Sequence, residues 1–444
     1  MEYSRYSVKL SGAESAFSKK YPALAHIPFI LDSNQKYHRL ANRFLIERGL
    51  ATWHPKSRLA RLAWRIPSPA SLKNYADWLA NFLDWSETRA VSLITCTYAA
   101  DIKGRYQNEM SIGSWARNGT KLAASTINSR VDQACDFLVW MYDHGLRENP
   151  EIPYVEITVA RPSSTNTFGR RPMQLVVRQG RLKSKTKAIY MPDDASLSRW
   201  LEGVYSKFGH TYGLICESIL LTAMRREEIL SLDENCLGKD PSKWKVVNPT
   251  RPLEDQQIRI SIFRGVKGQW EGFTEDGSKI GPPRDILVPL ALALAWHKYR
   301  REDRMKAFAN WMRKAPSGQR QSHAKKAGSL FLDEKNGGKI SGPSLYYRWK
   351  SVPPPVHGWS IHDGRKWWAC AKLWRAVSNT GFLDEKITSP NFSALTNFAH
   401  NTIRLEIVPQ LGHIDENTVD AYLTWLTDMV SSPLRITHRF ELKK

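Results

Sequence analysis

The sequence predicts a mainly α-helical protein that carries a small antiparallel β-sheet and is divided into more than one domain. Its 444 residues exceed what one hydrophobic core usually organises, so two or more domains are the default expectation. Apolar residues recur at three- and four-residue steps through much of the chain, which is the period of an amphipathic helix. Strand-like stretches are few, chiefly QIRISIF (257–263) and RDILVPL (284–290), with a Gly- and charge-rich loop between them.

The composition indicates a polyanionic partner. Lys and Arg number 65 against 43 Asp and Glu, and the isoelectric point is near 9.8. Such a surplus attracts nucleic acid and makes its binding sensitive to salt. The five cysteines include no CxxC pair, which argues against a disulfide framework and a zinc site. No apolar run approaches the about 20 residues that span a bilayer, so we expect a cytoplasmic protein without membrane contact.

Two segments make up the first part of the chain. Residues 1–66 are densely basic, with twelve Lys or Arg against four acids. They form either an additional DNA-contacting module or a solvated helical layer, and their pattern leaves both open. Residues 67–150 are predicted to be a small helical bundle. One helix near 70–85 and a second near 126–144, which stops at Gly145, each carry one apolar face.

Residues 151–192 are predicted to be a basic interdomain linker, because the stretch from Ile157 to Pro192 contains no acid and is rich in Lys and Arg. The segment is either a solubilising tether or a strap laid along phosphates, and the charge bias favours the strap. The candidate DNA-binding residues, which include one arginine of the helical bundle, are Arg130, Arg170, Arg171, Arg178 and Arg181.

Residues 193–444 are predicted to be a second, mixed domain in which helices dominate. Asp193 and Asp194 are plausible N-caps for its first helix. The expected helices span about 195–207, 213–232 and 290–313, and the two strands lie between the second and the third. A basic loop through Lys325 and Lys326 follows, and the remainder is helical in pattern except for 379–397, an added surface loop.

Two local patterns in the mixed domain contain cationic residues with more than one interpretation. In LLTAMRREEILSL an apolar helix is interrupted by Arg225, and a buried arginine needs a partner such as Glu228. Taken alone, this pair is as readily structural as functional. In FRGVKGQWEG, Lys267 ends a probable strand before a turn. A lone lysine at such a place is usually only a surface residue.

Two further patterns add histidines and a tyrosine. In WSIHDGRKWWACAKLW, His362 and Arg365 stand three apart and share a helical face. Taken alone, a capping histidine and a solvated arginine explain this pattern. In LGHIDENTVDAYLTW, His413 follows a glycine and Tyr422 comes nine residues later. An isolated tyrosine of this kind is more often part of a core.

Together the four patterns resemble the catalytic domain of the tyrosine recombinases, or phage-type integrases, which have Arg, Lys, His-x-x-Arg, Gly-His and Tyr in this order. Thr222–Glu228 is similar to the family's T-G-[LM]-R-x-x-E. The LGH block at 411–413, with Tyr422 nine residues after its histidine, matches the family's last block without a gap. The upstream helices and their closing Asn-Pro pair at 149–150 are similar to the family's core-binding domain, so the resemblance covers roughly 67–430.

The resemblance implies a helical, SAM-like core-binding domain, a mixed α/β catalytic domain and a site-specific DNA recombinase. It implies cleavage and rejoining of double-stranded DNA through a 3′-phosphotyrosine, without metal, ATP or another cofactor. It also implies a homotetramer in the synaptic complex and a monomer or weak oligomer off DNA. The implied catalytic residues are Arg225 and Arg365 on the phosphate, Lys267 as general acid, His362 and His413 beside the phosphate, and Tyr422 as nucleophile.

These residue types suit attack on a phosphodiester. Arg225 and Arg365 offer planar, permanently charged donors that can bind the non-bridging oxygens bidentately. His362 and His413 can add hydrogen bonds or take the proton of Tyr422, whose ordinary pKa is near 10. Two nearby arginines are expected to favour its phenolate.

Three departures from the family pattern carry their own expectations. Ala223 stands where the family has Gly, so the left-handed turn that Gly permits is expected to be missing before Arg225. The loop 268–283 is longer than the family's hairpin, which makes Lys279 the reserve candidate for Lys267. The stretch between Arg365 and the LGH block is expanded.

Two other functions remain open. A type IB topoisomerase-like enzyme needs the same residue types, although separate core-binding and catalytic domains favour recombination. A non-catalytic DNA-binding protein could keep the same fold, although the intact set of catalytic residue types argues against it.

Overall fold

The chain forms two compact units in the computed structural model, Met1–Thr186 (unit 1) and Lys187–Lys444 (unit 2). The structure describes residues 5–11, 15–55, 66–116, 118–160, 172–183, 189–267, 272–274, 278–381, 389–412, 417–431 and 442. In these ranges helices dominate and the strands form three small antiparallel sheets. The expected mainly helical fold with little antiparallel sheet is confirmed.

Unit 1 is a helical bundle flanked by two strand pairs. Its helices are α1 (Ala16–Lys20), α2 (Arg39–Gly49), α3 (Pro69–Thr88), α4 (Asn108–Ile112, which continues a π-helical stretch Tyr98–Gln107) and α5 (Ala124–Asp143). Its strands are β1 (Ser7–Lys9), β2 (Phe29–Leu31), β3 (Tyr154–Ala160) and β4 (Pro172–Arg178). Strand β1 pairs with β2, and β3 pairs with β4.

The helices of unit 1 form where their sequence supplies caps and one apolar face. Helix α3 begins where the Ser68 side chain accepts the Ser71 N–H and a proline occupies the first turn. Helices α3 and α5 pack together, and Phe44 of α2 meets Phe137 of α5 with ring centroids 5.4 Å apart. The basic segment 1–66 therefore contributes aromatic side chains to the core of unit 1.

The segment 151–192 contains paired strands in place of an unstructured tether. Tyr154 lies opposite Arg178 at one end of the β3–β4 pair, and Ala160 lies opposite Pro172 at the other. The stretches YVEITVA and PMQLVVR are rich in β-branched residues, which favour strands, but the acid-free composition of the segment obscured them. Arg170 and Arg171 lie outside the described residues.

The prediction that Arg178 contacts DNA requires correction. The residue is only 3% exposed, and its guanidinium donates to the side chains of Asp132 at 3.0 Å, Tyr98 at 2.8 Å and Gln107 at 3.0 Å. A buried arginine must be paired in this way to offset its lost hydration. Arg178 therefore holds unit 1 together and does not offer its charge to a phosphate.

Arg181 and Arg130 are more accessible than Arg178. The side chain of Arg181 is 42% exposed and forms an ion pair with the other carboxylate oxygen of Asp132. Arg130 is partly buried, and its Nη1 donates to Asn81 Oδ1 at 3.1 Å. Both stay candidate DNA contacts, each with one donor already engaged inside the unit.

Unit 2 is a larger mixed unit. Its helices are α6 (Asp194–Thr222), α7 (Arg226–Leu230), α8 (Leu290–Arg301), α9 (Asp303–Met312), α10 (Arg320–Lys325), α11 (Gly342–Lys350), α12 (Ile361–Ser378), α13 (Ser389–Thr402, continued by a π-helical stretch Ile403–Ile407), α14 (Val408–Leu411) and α15 (Asn417–Val430). Its strands are β5 (Gln257–Arg264), β6 (Gly272–Phe273) and β7 (Lys279–Pro289), in the order β5-β7-β6.

Three elements of unit 2 differ from the expected ones. Helix α6, which Asp193 caps, is interrupted by non-helical Gly209, in agreement with the two helices expected at 195–207 and 213–232, but its second part ends at Thr222 and not at 232. The helix predicted over 290–313 is broken at Glu302, whose backbone (φ −106°, ψ −79°) separates α8 from α9. Residues 389–402, predicted to lie partly in a surface loop, form helix α13 and bury Leu395 and Ala399.

The core of unit 2 lies between the sheet and the long helices. Strand β5 alternates buried and exposed side chains, so that its isoleucines enter the core, and the strand contacts α7 and α8. Indole rings pack between α6 and α11, where the ring centroids of Trp200 and Trp349 lie 4.4 Å apart. None of the helices in the described part of the chain is both long and apolar enough to cross a bilayer.

The Arg178 network generates a stability prediction. Arg178→Ala should lower the free energy of unfolding by about 2–3 kcal/mol, because it leaves buried hydrogen-bonding partners unsatisfied. Arg181→Ala is the matched control, since it removes an exposed partner of the same Asp132 and should cost less than about 1 kcal/mol. Urea unfolding of the full chain, followed by tryptophan fluorescence, measures both. Equal, small losses would show that the network does not stabilise unit 1.

Candidate active site

A left-handed turn at the end of α6 sets the position of Arg225. Ala223 adopts φ 55° and ψ 26°, and its N–H donates to the Ile219 carbonyl at 2.9 Å. The expectation that the turn is missing without a glycine is wrong. An alanine in this conformation costs about 1 kcal/mol or more, which the surrounding hydrogen bonds must offset.

Arg225 is the N-cap of helix α7 and is bonded to Glu228 through both backbone and side chain. Its N–H donates to Glu228 Oε2 at 2.7 Å, and its Nη1 donates to Oε1 at 2.8 Å. Glu228 is fully buried, whereas the Arg225 side chain is 20% exposed. The ion pair that the sequence left as one alternative therefore exists, and it leaves part of the Arg225 side chain open to solvent.

Two further arginines reach the same carboxylate. Arg284 of β7 donates from Nε to Glu228 Oε1 at 3.0 Å and from Nη2 to Oε2 at 2.6 Å. Arg365 of α12 places Nη1 3.8 Å from Oε2. Burial alone would raise the pKa of Glu228, but the hydrogen bonds and charges of Arg284 and Arg225 outweigh it and lower the pKa. Glu228 is thus ionised at neutral pH.

The same three arginines bind three consecutive carbonyl groups at the end of α14. Arg284 Nη1 donates to Gln410 O at 2.6 Å, Arg365 Nη2 to Leu411 O at 2.8 Å and Arg225 Nη2 to Gly412 O at 2.6 Å. The last carbonyls of a helix lack helical partners and carry partial negative charge. One carboxylate and one helix end therefore hold the three guanidinium groups together.

Gln410 fixes this helix end to the rest of unit 2. Its Nε2 donates to Thr222 O at 2.9 Å and to Leu287 O at 3.0 Å, while its Oε1 accepts the Leu287 N–H at 2.8 Å. The buried amide thereby joins the end of α6, strand β7 and α14. The three arginines lie on or beside the elements that this amide connects.

Helix α12 carries His362 and Arg365, and Ser360 with Asp363 forms a capping box at its start. Burial and the Arg225 charge lower the pKa of Arg365 to about 9, so the guanidinium keeps its charge at neutral pH. The side chain of His362 is exposed to solvent, but surrounding protein partly desolvates its ring. Partial desolvation, followed by the charges of Lys366 and Arg365, lowers the pKa of His362, so its ring is neutral at pH 7.

Tyr422 lies on α15, which packs against α12, with Trp425 edge-on to Trp374 at 6.4 Å. The tyrosine is 2% exposed, and it is close enough to Arg365 for each charge to affect the pKa of the other group. Burial raises the pKa of Tyr422 above its ordinary value, and the Arg365 charge only partly opposes this. The expectation of a favoured phenolate is therefore wrong for the protein without DNA.

Lys267 is exposed in the turn after β5. A Cβ atom on Gly265 would lie 2.3 Å from the Glu227 carbonyl oxygen, so this turn touches the start of α7, next to Arg225. Lys279, the reserve candidate, starts β7 and is half-buried, which lowers its pKa. His413 lies outside the described residues.

The structure thus brings Arg225, Arg365, His362 and Tyr422 to one region of unit 2 and places Lys267 at its edge. It adds Arg284 and Gln410, which the sequence did not single out. In the described ranges, no group of three or more His, Cys, Asp or Glu side chains is arranged to hold a metal ion. The chemistry that these residues can offer is anion binding by guanidinium groups, one of which, Arg365, lies near Tyr422.

No family model and no curated protein matches the sequence. Among solved structures, the Tn1549 transposon integrase in complex with circular intermediate DNA aligns with a TM-score of 0.42, and a variant of it in complex with transposon right end DNA aligns with 0.43. Each is 15% identical, and each alignment covers 79% of this chain and 88% of that chain.

Gly412 offers a test of how tightly the site is packed. Its φ is +58°, and a Cβ there would lie 3.1 Å from Arg284 Cδ and 3.2 Å from Arg225 Nη1. Gly358 has φ +77° with nothing within 4 Å, so Gly358→Ala should cost only the left-handed strain of about 1–2 kcal/mol. Gly412→Ala should cost about 1–3 kcal/mol more, because it also displaces the arginines. Urea unfolding measures the free energy of unfolding of both variants. Equal losses of stability would show that the Cβ atom at position 412 does not displace the arginines.

Proposed function

We propose that this protein is a tyrosine recombinase, a site-specific enzyme that cleaves and rejoins double-stranded DNA through a covalent bond between Tyr422 and a DNA phosphate. The observation that supports this most is the convergence of Arg225, Arg365 and Tyr422, from three separate parts of the chain, within one unit. Two guanidinium groups beside a tyrosine hydroxyl suit a phosphodiester and the charge that develops on it during attack.

In the proposed reaction the phosphate lies between the two arginines. The Tyr422 oxygen attacks phosphorus, an O–P bond forms, and the bond to the 5′-oxygen of the leaving strand breaks. The phenol proton passes to a base, and the leaving oxygen takes a proton from an acid. The 3′-phosphotyrosine keeps the energy of the broken linkage, so a 5′-hydroxyl from another strand can reverse the step without an energy source.

The two proton transfers have candidate residues in the site. His362 is neutral at pH 7, which leaves one ring nitrogen able to accept a proton. It lies three residues before Arg365 on α12, so the two share a face of the helix. Lys267, with Lys279 as the reserve, is the candidate acid for the leaving oxygen, because its turn adjoins α7. His413 is proposed as a second group beside the phosphate, on the residue pattern alone.

The packing of α15 supports a nucleophile that acts within its own subunit. Trp425 of α15 contacts Trp374 of α12, and Tyr422 and Arg365 interact within unit 2. A homotetramer on two DNA duplexes, in the cytoplasm, remains the proposed working form. Arg130, Arg170, Arg171 and Arg181 remain proposed DNA contacts, and Arg178 is withdrawn from that set.

Replacing the nucleophile gives the first functional prediction. Tyr422→Phe should bind DNA like the unaltered protein but form no denaturation-resistant protein–DNA adduct, because the attacking oxygen is gone. The assay uses nicked duplexes from the DNA that flanks the gene, resolved on a denaturing gel. Tyr299→Phe, another buried tyrosine of unit 2, is the matched control and should still form the adduct. An adduct with Tyr422→Phe would identify a different nucleophile.

The lowered pKa of His362 gives a prediction for the pH dependence. The imidazole is neutral above its pKa, so adduct formation should fall only as the pH drops below the ordinary value of 6.5. Lys366→Gln removes a charge that lowers this pKa, so the fall should move to higher pH, toward 6.5. Rates of adduct formation between pH 5 and 8 measure the shift. A fall above pH 6.5, or one that Lys366→Gln leaves in place, would rule out His362 as the base.

A further inference from the structure

Arg284 is the arginine of the cluster that the proposed reaction does not use. All three of its guanidinium nitrogens are engaged, with Nε and Nη2 on the two oxygens of Glu228 and Nη1 on the Gln410 carbonyl. With its donors committed to the protein, Arg284 is not placed to bind a phosphate in the way that Arg225 is.

The arrangement of Glu228 shows what Arg284 does to its neighbours. Arg284 faces both carboxylate oxygens in a planar fork, the strongest geometry for this pair. Arg225 consequently meets only Oε1 with its side chain and sends Nη2 to Gly412. Arg365 stands off at 3.8 Å and donates to Leu411. Arg284 therefore occupies the side of the carboxylate that a second arginine would otherwise take.

Removal of Arg284 would change this division. Glu228 is fully buried and ionised, so it would seek the nearest remaining cation. The Arg225 guanidinium already reaches Oε1 with one nitrogen, and a small rotation of the carboxylate would let the guanidinium bind both oxygens. The Gln410 carbonyl would also lose its donor, which would loosen the turn at 410–412 that Arg225 and Arg365 hold.

We propose that Arg284 is a positioning residue for strand cleavage. By binding Glu228 in a fork and tying down Gln410, it keeps Arg225 and Arg365 oriented toward the scissile phosphate. This inference rests on the proposed function. It also explains why an arginine occupies a β7 position opposite Ile262, whose side chain faces the core.

The test compares adduct formation and DNA binding in full-length variants. Arg284→Gln should lower the rate constant of adduct formation about 10- to 100-fold, because it displaces groups that must meet the phosphate, and it should change the DNA Kd less than about threefold. Arg284→Lys keeps the charge but cannot bind both carboxylate oxygens in a fork, so its rate constant of adduct formation should lie between those of the unaltered protein and Arg284→Gln. Arg259→Gln, an exposed arginine of the adjoining strand, is the matched control and should leave the rate unchanged.

A double variant separates positioning from a purely structural role. In Arg284→Gln with Glu228→Gln, the neutral amide no longer draws Arg225 away, so the rate should recover at least threefold over Arg284→Gln alone. A double variant that is no faster would overturn the proposal, as would a wild-type rate in Arg284→Gln. If Arg284→Gln does not fold, the rate of adduct formation by Arg284→Lys is compared with that of the unaltered protein. Equal rates would overturn the proposal.

A crystal structure of the Arg284→Gln or Arg284→Lys variant makes the inference testable apart from the reaction. Both oxygens of Glu228 should then lie within hydrogen-bond distance of guanidinium nitrogens of Arg225, whereas in the unaltered protein the guanidinium reaches only Oε1. An unchanged Arg225–Glu228 geometry would overturn the inference. Absence of any adduct from the unaltered protein would instead overturn the proposed function and leave the crystallographic result to stand by itself.

Discussion

The buried carboxylate of Glu228 is the interaction on which the site depends. Arg225, Arg284 and Arg365 repel one another, and a cluster of three guanidinium groups does not persist in a partly desolvated place without compensation. Glu228 supplies one full negative charge, and the carbonyls of Gln410, Leu411 and Gly412 supply the partial charge of a helix end. The balance is incomplete, because three positive charges face one carboxylate. The site consequently retains a positive field suited to an incoming anion.

That balance requires elements far apart in the chain to be placed precisely, because the hydrogen bonds between them tolerate shifts of only a few tenths of an ångström. Two left-handed turns make this possible, one at Ala223 before Arg225 and one at Gly412, whose carbonyl is the last of the three. The buried amide of Gln410 lies between them and bonds to both Thr222 and Leu287. The contacts that align the arginines therefore also stabilise the strained backbone at Ala223. Unfavourable backbone geometry is usually tolerated where the surrounding structure fixes it in this way.

The sequence predicted the helices, the β5–β7 strand pair and the residue types of the site, because those depend on local periodicity and on a spaced motif. It did not predict Arg284, although a signal existed: Arg284, Ile286 and Val288 alternate along β7, and the last two are buried. An arginine on the buried face of a strand must be paired, just as Arg225 must. Gln410 offered no comparable signal, since a glutamine near a helix end is ordinarily solvated. Arg178 was predicted to contact DNA but is buried, because the charge density of a segment does not indicate which of its arginines turns inward.

The state of Tyr422 limits how the proposed reaction can begin. Burial raises the pKa of Tyr422 beside Arg365, so the resting hydroxyl is neutral, and a neutral phenol tolerates an apolar environment that a phenolate would not. A phosphodiester that binds between Arg225 and Arg365 is itself an anion, and its charge works against forming a second anion next to it. The phenol proton must therefore leave as the O–P bond forms, not before, which calls for a base in place at that moment. Burial, with the charges of Lys366 and Arg365, lowers the pKa of His362, so its imidazole is unprotonated at neutral pH. In the proposed reaction Arg365 would therefore both bind the phosphate and keep the candidate base neutral.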